Sequence, residues 1–345
     1  MWMDNNDIFV LVLELEQYQN TNIMDKQICG KTIPNWVKDA VAPFHHQFVT
    51  TSTQNDIITL FKANITSAKY TVITYADMPL LSTAAILQAV DYCHNKNSQA
   101  VKLPRGWVFN TQIVMQNEEF KIDEFLAAEP SDYLVAFNDL QVAKIRTVMQ
   151  ERINQNHLKN GVEIIDPAHT YIDHAVTIQA GCVIEPNVHL SGQTTIKQNT
   201  TILQGCKIVD STVGENCQIG PYAHIRPQSR IGNDCRIGNF VEIKRSQIGD
   251  GTKVAHMTYV GDSTLGKNCN VGCGVIFCNY DGKTKHQSLV GDHVFIGSNT
   301  CLIAPIEIGD RAFIAAGSVI SEKLPPRALG IARARQAVKE NYVTE

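Results

Sequence analysis

No stretch of the chain approaches the roughly 18 to 20 consecutive apolar residues that a membrane-spanning helix needs, so no span is expected. Charge of one sign is missing too, since 30 Lys and Arg stand against 34 Asp and Glu, a formal net charge of -4. Without a summed positive field nothing holds nucleic acid or an anionic bilayer, and neither is expected as a partner. The amino terminus carries Asp4, Asn5 and Asp7 where a signal peptide would be basic, which points to the cytoplasm. The ten cysteines show neither CxxC nor a Cys/His metal spacing. In a reducing compartment most are expected as small buried apolar residues rather than disulfide partners or zinc ligands. The remaining composition, 44% apolar and 19% charged over 345 residues, excludes disorder and fibres and leaves room for two domains.

What is present in the second half is a clock of six. Aliphatic residues recur at six-residue steps from Ile172 to Ile208, from Val213 to Ile243, from Ile248 to Val260, from Leu265 to Phe277 and from Val290 to Ile320, giving 25 hexads with three one-residue slips and one long gap. Neither a 3.6-residue helix nor a two-residue strand alternation produces that period. A solenoid does, with each hexad one short strand and one corner, and the Gly that often follows the aliphatic residue suits a tight turn. The gap from Phe277 to Val290 spans 13 positions, so seven extra residues leave the solenoid as a loop containing Asn279, Tyr280, Lys283, Lys285 and His286.

The polar residues of this region suit a phosphorylated amine and an acyl thioester. Arg226 and Lys244 are 18 residues apart, and in the hexapeptide-repeat β-helices that the six-residue clock resembles three hexads close one coil, so stacking would bring two cations side by side. Such a pair repels unless an anion joins it, and Arg with Lys suits a phosphate. His256 lies 12 residues beyond Lys244, with Tyr259 close behind, and an imidazole beside a carboxylate such as Glu242 serves as a general base.

The blocks GPYAHIRP (220 to 227), IGNFVEIK (237 to 244), HMTYVGD (256 to 262), CNYDGKTKH (278 to 286), IGSNTCLIAPI (296 to 306) and ARARQAVKENY (332 to 342) carry a closer resemblance. Residues 161 to 343 resemble the acetyltransferase half of the bifunctional N-acetylglucosamine-1-phosphate uridyltransferase and glucosamine-1-phosphate acetyltransferase family. The resemblance implies a left-handed parallel β-helix of hexapeptide repeats and a homotrimer whose active site is shared between prisms. It places the proton acceptor on His256 and the amino-sugar phosphate contacts on Arg226, Lys244, Tyr259 and Asn270. The acetyl-CoA contacts fall on Cys273, Asn279, Tyr280, Ser298, Ala316 and Arg333, and Lys285 lies in the loop reaching towards a neighbouring subunit. Cys273 stands where the family usually has Ala. The implied reaction is acetyl-CoA-dependent N-acetylation of glucosamine 1-phosphate, with Glu242 an orienting partner of His256, Asn279 and the Ser298 region as candidate oxyanion donors, and no metal in the step.

The first half reads as a shortened α/β domain, with strand candidates over 8–13 and 70–75, a helix over 82–94, and apolar stretches near 100 and over 107–115. Helical periodicity over 138–158, with Val142, Ile145, Val148, Met149 and Ile153 on one side, ends at Asn160-Gly161. The expected organisation is a nucleotidyltransferase-like domain over 1–137, a linker helix over 138–160, the β-helix over 161–324 and a tail over 325–345. Family resemblance here is patchy. The segment Thr74-Tyr75-Ala76-Asp77-Met78-Pro79-Leu80 resembles the family's metal-binding strand end, which would make Asp77 a magnesium ligand, with Asn138 the second. The family's Gly-rich triphosphate loop is replaced by Leu11-Val12-Leu13-Glu14-Leu15-Glu16-Gln17-Tyr18-Gln19, with Glu14 and Glu16 at the glycine positions and Tyr18 where the Arg belongs. Each carboxylate near a phosphate costs about 4 kcal/mol at 4 Å and an effective dielectric near 20. The family's uracil-side Gln-Leu-Gly-Thr is also unmatched, residues 52–56 taking roughly that place. Uridyl transfer is therefore expected to be lost, with Mg2+ relevant only if it persists. The alternatives are a bifunctional enzyme that keeps uridyl transfer, or a non-catalytic trimeric scaffold carrying an altered ligand module.

Overall fold

The computed structural model describes the chain except residues 1–3, 19–20, 53–55, 118, 341 and 344–345. Gln19, the 53–55 part of the uracil-side position and Asn341 of the terminal block lie outside the described residues. Contacts divide the chain into Met1–Gln150 and Glu151–Glu345, so the division falls inside the helix Asp139–Lys159.

In the first unit a six-stranded sheet runs in the order His45–Thr51, Ile8–Leu15, Tyr70–Tyr75, Gly106–Asn110, Ala100–Leu103, Ile122–Glu124. The first three strands are parallel, with Val10 opposite both His46 and Val72, and Gly106–Asn110 joins them antiparallel. Ile8–Leu15 is an almost unbroken apolar run because helices cover both of its sides. Val10 and Val12 pack with Val37 and Val41 of the helix Ile33–Val41 and with Ile86 and Ala89 of the helix Thr83–Asn95. On the other side Phe9, Leu11 and Leu13 pack with Phe61 of the helix Ile57–Ala63 and with Phe109. Ser82 caps the helix Thr83–Asn95, its side chain accepting from the Ala85 amide at 3.1 Å. Gly106 opens a tight hairpin at φ +125°, where a Cβ would lie 2.3 Å from the Ile73 carbonyl oxygen.

The second unit is a three-sided prism of parallel strands, a left-handed β-helix. A first face has nine strands from Tyr171–Ile172 to Val319–Ile320, a second has eight from Thr177–Ile178 to Ile306–Ile308, and a third has ten from Glu163–Ile164 to Leu329–Gly330. All 25 hexad residues point inward and are buried, stacked in register as in Ile225↔Ile243 and Ile237↔Val254. The three slips and the 13-position gap all fall at one place, the edge between the first and second faces. Coils there take 17 residues instead of 18 or extrude the loop, while the other two edges keep time. At the edge between the second and third faces, Thr and Cys interchange because both are small and accept from the next coil's amide. Cys217 N donates to Thr200 Oγ1 at 3.0 Å, and Cys235 N to Cys217 Sγ at 3.4 Å. Seven of the ten cysteines are buried, while Cys273, Cys278 and Cys301 are partly exposed. Within the expected tail, Leu329–Gly330 adds a last strand beside Phe313–Ile314.

Candidate active site

The first face and its two edges carry the polar groups singled out above. Register places Arg226 beside Lys244, one coil apart. Arg226 Nη1 lies 2.8 Å from Glu242 Oε1, both side chains more than a third exposed. The Lys285 ammonium beside Lys244, then partial burial and the Arg226 and Arg245 charges, lower the Lys244 pKa. Lys285, from the extruded loop, thus joins the cations of its own chain. The loop is braced by Asp281, which accepts from the Lys283 and Thr284 amides at 2.7 Å each and faces His286 Nε2 at 2.7 Å. The Thr284 amide first, then His286 and the Lys283 amide, hold the Asp281 carboxyl far below the usual range. Tyr280 Oη donates to the Gly282 carbonyl at 2.8 Å, closing the loop tip.

Tyr259 lies flat over Gly261, where a Cβ would meet its hydroxyl at 2.4 Å. That glycine lets the ring cross the face towards Asn279, whose Nδ2 is 3.4 Å from the Tyr259 hydroxyl. Asn279 Nδ2 also reaches Asp262, which Arg245 grips at 2.6 and 2.9 Å. Burial raises the Asp262 pKa, but the Arg245 and Asn279 hydrogen bonds and the Arg245 and Lys285 charges outweigh it and hold the carboxyl low. A depressed folded pKa gives stability that is complete above the unfolded value, about 3.9, and is lost as pH falls through the folded value. Asp262→Asn is therefore expected to flatten the acid limb of a urea-midpoint profile measured below about pH 4.

His256 occupies the opposite edge. It ends the third-face strand Lys253–His256 and is exposed, its Nδ1 lying 2.6 Å from Asn239 Oδ1 on the preceding coil. An amide oxygen only accepts, so Nδ1 is the donor in this bond, and in the neutral imidazole Nε2 is then the nitrogen that keeps a lone pair. Glu242, expected to orient this imidazole, instead pairs with Arg226 on the first face, and Asn239 takes the orienting place. The physical reason is that Glu242 lies on the first face opposite Tyr259, while on the third face the slip after Ile243 makes that coil 17 residues long and sets Asn239 beneath His256.

Backbone bonds of the Asn299 amide to Cys273 and the Gly317 amide to Ser298, both 2.8 Å, with Gly274 to His256 at 3.3 Å, show that His256, Cys273, Ser298 and Ala316 ascend the same edge. The Arg333 side chain lies beside Gly317. Asn279 and Tyr280 belong to the other edge, with the loop. Asn270 sits on the outside of the third face, between Lys253 and Phe295, and joins neither group. Tyr222, Phe240 and Met257 follow the His256 edge at φ 56°, 53° and 42°, exposed in the left-handed region, with the Tyr222 and Phe240 rings stacked at 5.5 Å.

In the first unit Asp77 follows the carboxyl end of Tyr70–Tyr75, where parallel sheets place ligands. Glu14, Tyr18, Asp25 and Asp77 border a cavity of about 240 Å³. Both Asp77 oxygens are engaged: Oδ1 accepts Arg105 Nε at 3.0 Å, while Oδ2 accepts Arg105 Nη2 and, at 3.1 Å, the Tyr18 hydroxyl. Arg105 also stacks 4.2 Å over the Tyr75 ring. Burial and the Asp77 charge push the Tyr18 phenol up to about 12, so it remains a donor. Asn138 uses its Oδ1 to cap the helix Asp139–Lys159, accepting from the Gln141 amide at 2.9 Å. The magnesium assignment of Asp77 and Asn138 does not fit these bonds: a guanidinium already neutralises the carboxylate, and the Asn138 carbonyl is taken up by a helix cap. Nothing in the sequence marked Arg105, which reaches Asp77 from a hairpin 28 positions away. Arg105→Ala is expected to destabilise the first unit by about 3 kcal/mol, because it strands a buried carboxylate. Chemical denaturation of the full chain, with Asp77→Asn/Arg105→Ala as the compensated control, checks this.

The hexad prism and its polar edges define a hexapeptide-repeat left-handed β-helix protein. Residues 208–306 match the GMPPB C-terminal domain family. The bifunctional protein GlmU of Clostridium tetani is 42% identical over 285 residues, 78% of this chain and 61% of that protein. GlmU of Listeria monocytogenes serotype 4b (strain CLIP80459) is 47% identical over 240 residues, 64% of this chain and 52% of that one. The chain is thus similar to GlmU proteins over most of its own length and spans between half and about three fifths of these relatives' length. A solved UDP-N-acetylglucosamine acyltransferase from Francisella novicida aligns with 49% of this chain and 66% of its own at 19% identity and a TM-score of 0.34. No helix among the described residues is long and apolar enough to cross a membrane.

Proposed function

We propose that the prism transfers the acetyl group of acetyl-CoA to the amine of glucosamine 1-phosphate, yielding N-acetylglucosamine 1-phosphate. The observation that carries this reading is that an anion-seeking cluster and an imidazole with a free Nε2 flank one face. A strand of about three residues is roughly 10 Å wide, so a sugar phosphate lying across the first face meets Arg226, Lys244 and Lys285 at one edge and His256 at the other. The amine nitrogen attacks the thioester carbonyl carbon, His256 Nε2 takes the amine proton, the new C–N bond forms and the C–S bond breaks, and the proton passes from the imidazolium to the departing sulfur so that CoA leaves as the thiol and the base is regenerated. Holding the two substrates together in the right orientation supplies much of the remaining acceleration.

Cys273, Ser298, Ala316 and Arg333 climb one edge along the prism axis, the direction an extended thioester arm would take. Asn279 and Tyr280 project from the other edge, so the six acetyl-CoA positions meet one cofactor molecule most simply across a crevice between chains. This supports the homotrimer. The Asp77–Arg105 bond, Glu14 at the cavity and the missing glycine loop support loss of uridyl transfer. Thiol release from acetyl-CoA, dependent on glucosamine 1-phosphate, tests the main reading, and silence at millimolar substrate would remove it. Pyrophosphate release from UTP and N-acetylglucosamine 1-phosphate with Mg2+ would instead establish the bifunctional alternative.

A further inference from the structure

Three successive coils stack Arg245, Asp262 and Asn279 at 17-residue intervals on the edge that carries the loop. Asp262 receives Nε and Nη2 of Arg245 and, at Oδ2, Nδ2 of Asn279. Its side chain is only 13% exposed, and its carboxyl is held in the ionised form. An ionised carboxylate only accepts hydrogen bonds. Asp262 therefore dictates the rotation of the Asn279 amide, with NH2 turned to the carboxylate and to the Tyr259 hydroxyl, and the carbonyl turned away. Asn279 is 6% exposed, and no group among the described residues donates to its Oδ1.

We propose that Asp262, clamped by Arg245, is a positioning residue that presents Asn279 as a hydrogen-bond acceptor for an amide N–H of the acyl thioester's pantetheine arm. Asn279 is then not the oxyanion donor that its residue type suggested, since both of its protons are already spoken for. Arg245 supplies two parallel bonds that a Lys cannot reproduce, so the clamp depends on the guanidinium fork. Gly261 belongs to the same device, because a Cβ there would lie 2.7 Å from Asn279 Nδ2.

This rests on the acetyl-transfer reading, and one set of measurements separates the two. Acetyl-CoA is titrated calorimetrically into the full-length wild type, Asp262→Asn, Arg245→Ala, Asn279→Ala and the Asp262→Asn/Asn279→Ala double variant, with thermal melting to confirm folding. Each single variant is expected to bind acetyl-CoA about tenfold more weakly, the scale of one hydrogen bond of this kind. The double variant should be no weaker than Asn279→Ala alone, because Asp262 acts through Asn279. In turnover of Asp262→Asn, the KM for acetyl-CoA should rise while kcat and the KM for the sugar phosphate stay within about threefold. Additive losses in the double variant, or an unchanged acetyl-CoA affinity in a folded Asp262→Asn, would overturn the proposal. Wild-type binding without acetyl transfer removes the functional reading alone, while no acetyl-CoA binding by the wild type overturns both.

Discussion

Replacing His256 with Ala is expected to lower kcat for acetyl transfer by about 10²- to 10⁴-fold, the range that a positioned general base contributes. The KM for glucosamine 1-phosphate should change little, because the phosphate is held at the far edge of the face. Asn239 makes the experiment specific. Its Oδ1 fixes the tautomer through Nδ1 at 2.6 Å, so Asn239→Ala frees the ring and the wrong nitrogen protonates part of the time. A loss of roughly tenfold in kcat, smaller than that of His256→Ala, is expected there. Glu242→Gln should leave kcat and its pH profile unchanged, since Glu242 bonds to Arg226. Purified variants compared by thiol release, each checked for folding by circular dichroism, decide between Asn239 and Glu242 as the residue that orients the base.

Arg226→Ala is the second large effect, and it falls on binding. The substitution removes a charge-assisted bond to phosphate worth about 1.5 to 3 kcal/mol. It also strands Glu242 beside the substrate anion, where a like charge at about 5 Å and an effective dielectric of 20 opposes binding by about 3 kcal/mol, halved for solvent screening at this exposed pair. Together these give about 3 to 4 kcal/mol, a rise of roughly 10²- to 10³-fold in the KM for the sugar phosphate. Lys244→Ala lacks the second component and should weaken binding by only about tenfold. Removing both partners, Arg226→Ala with Glu242→Gln, should recover about tenfold of the loss. Steady-state KM values for the four proteins test the arithmetic, and equal effects of Arg226→Ala and Lys244→Ala would show that Glu242 does not face the substrate.

The prism was legible because each inward side chain faces the same problem coil after coil. A residue such as Ile231 has no alternative to an aliphatic, so the period of six survives in the sequence, slips included. The same arithmetic contained more than hexad counting extracts. Stepping back 17 residues, one slipped coil, leads from His256 to Asn239, from Asp262 to Arg245 and from Asn279 to Asp262, all bonded pairs. Counting Glu242 as the neighbour of His256 ignored which face each residue occupies. In the first unit the central strands were readable from apolar runs buried on both sides, as in Ile8–Leu15. The Arg105–Asp77 bond was not, because it depends on how a hairpin folds back over a strand end, and no periodicity records that.

A crystal structure of the full chain with glucosamine 1-phosphate and CoA bears most directly on the central claim. The account predicts the phosphate against Arg226 and Lys244, and the sugar nitrogen within hydrogen-bond reach of His256 Nε2, with the sugar crossing the first face. A phosphate seated away from both cations, or an amine turned from the imidazole edge, would contradict it.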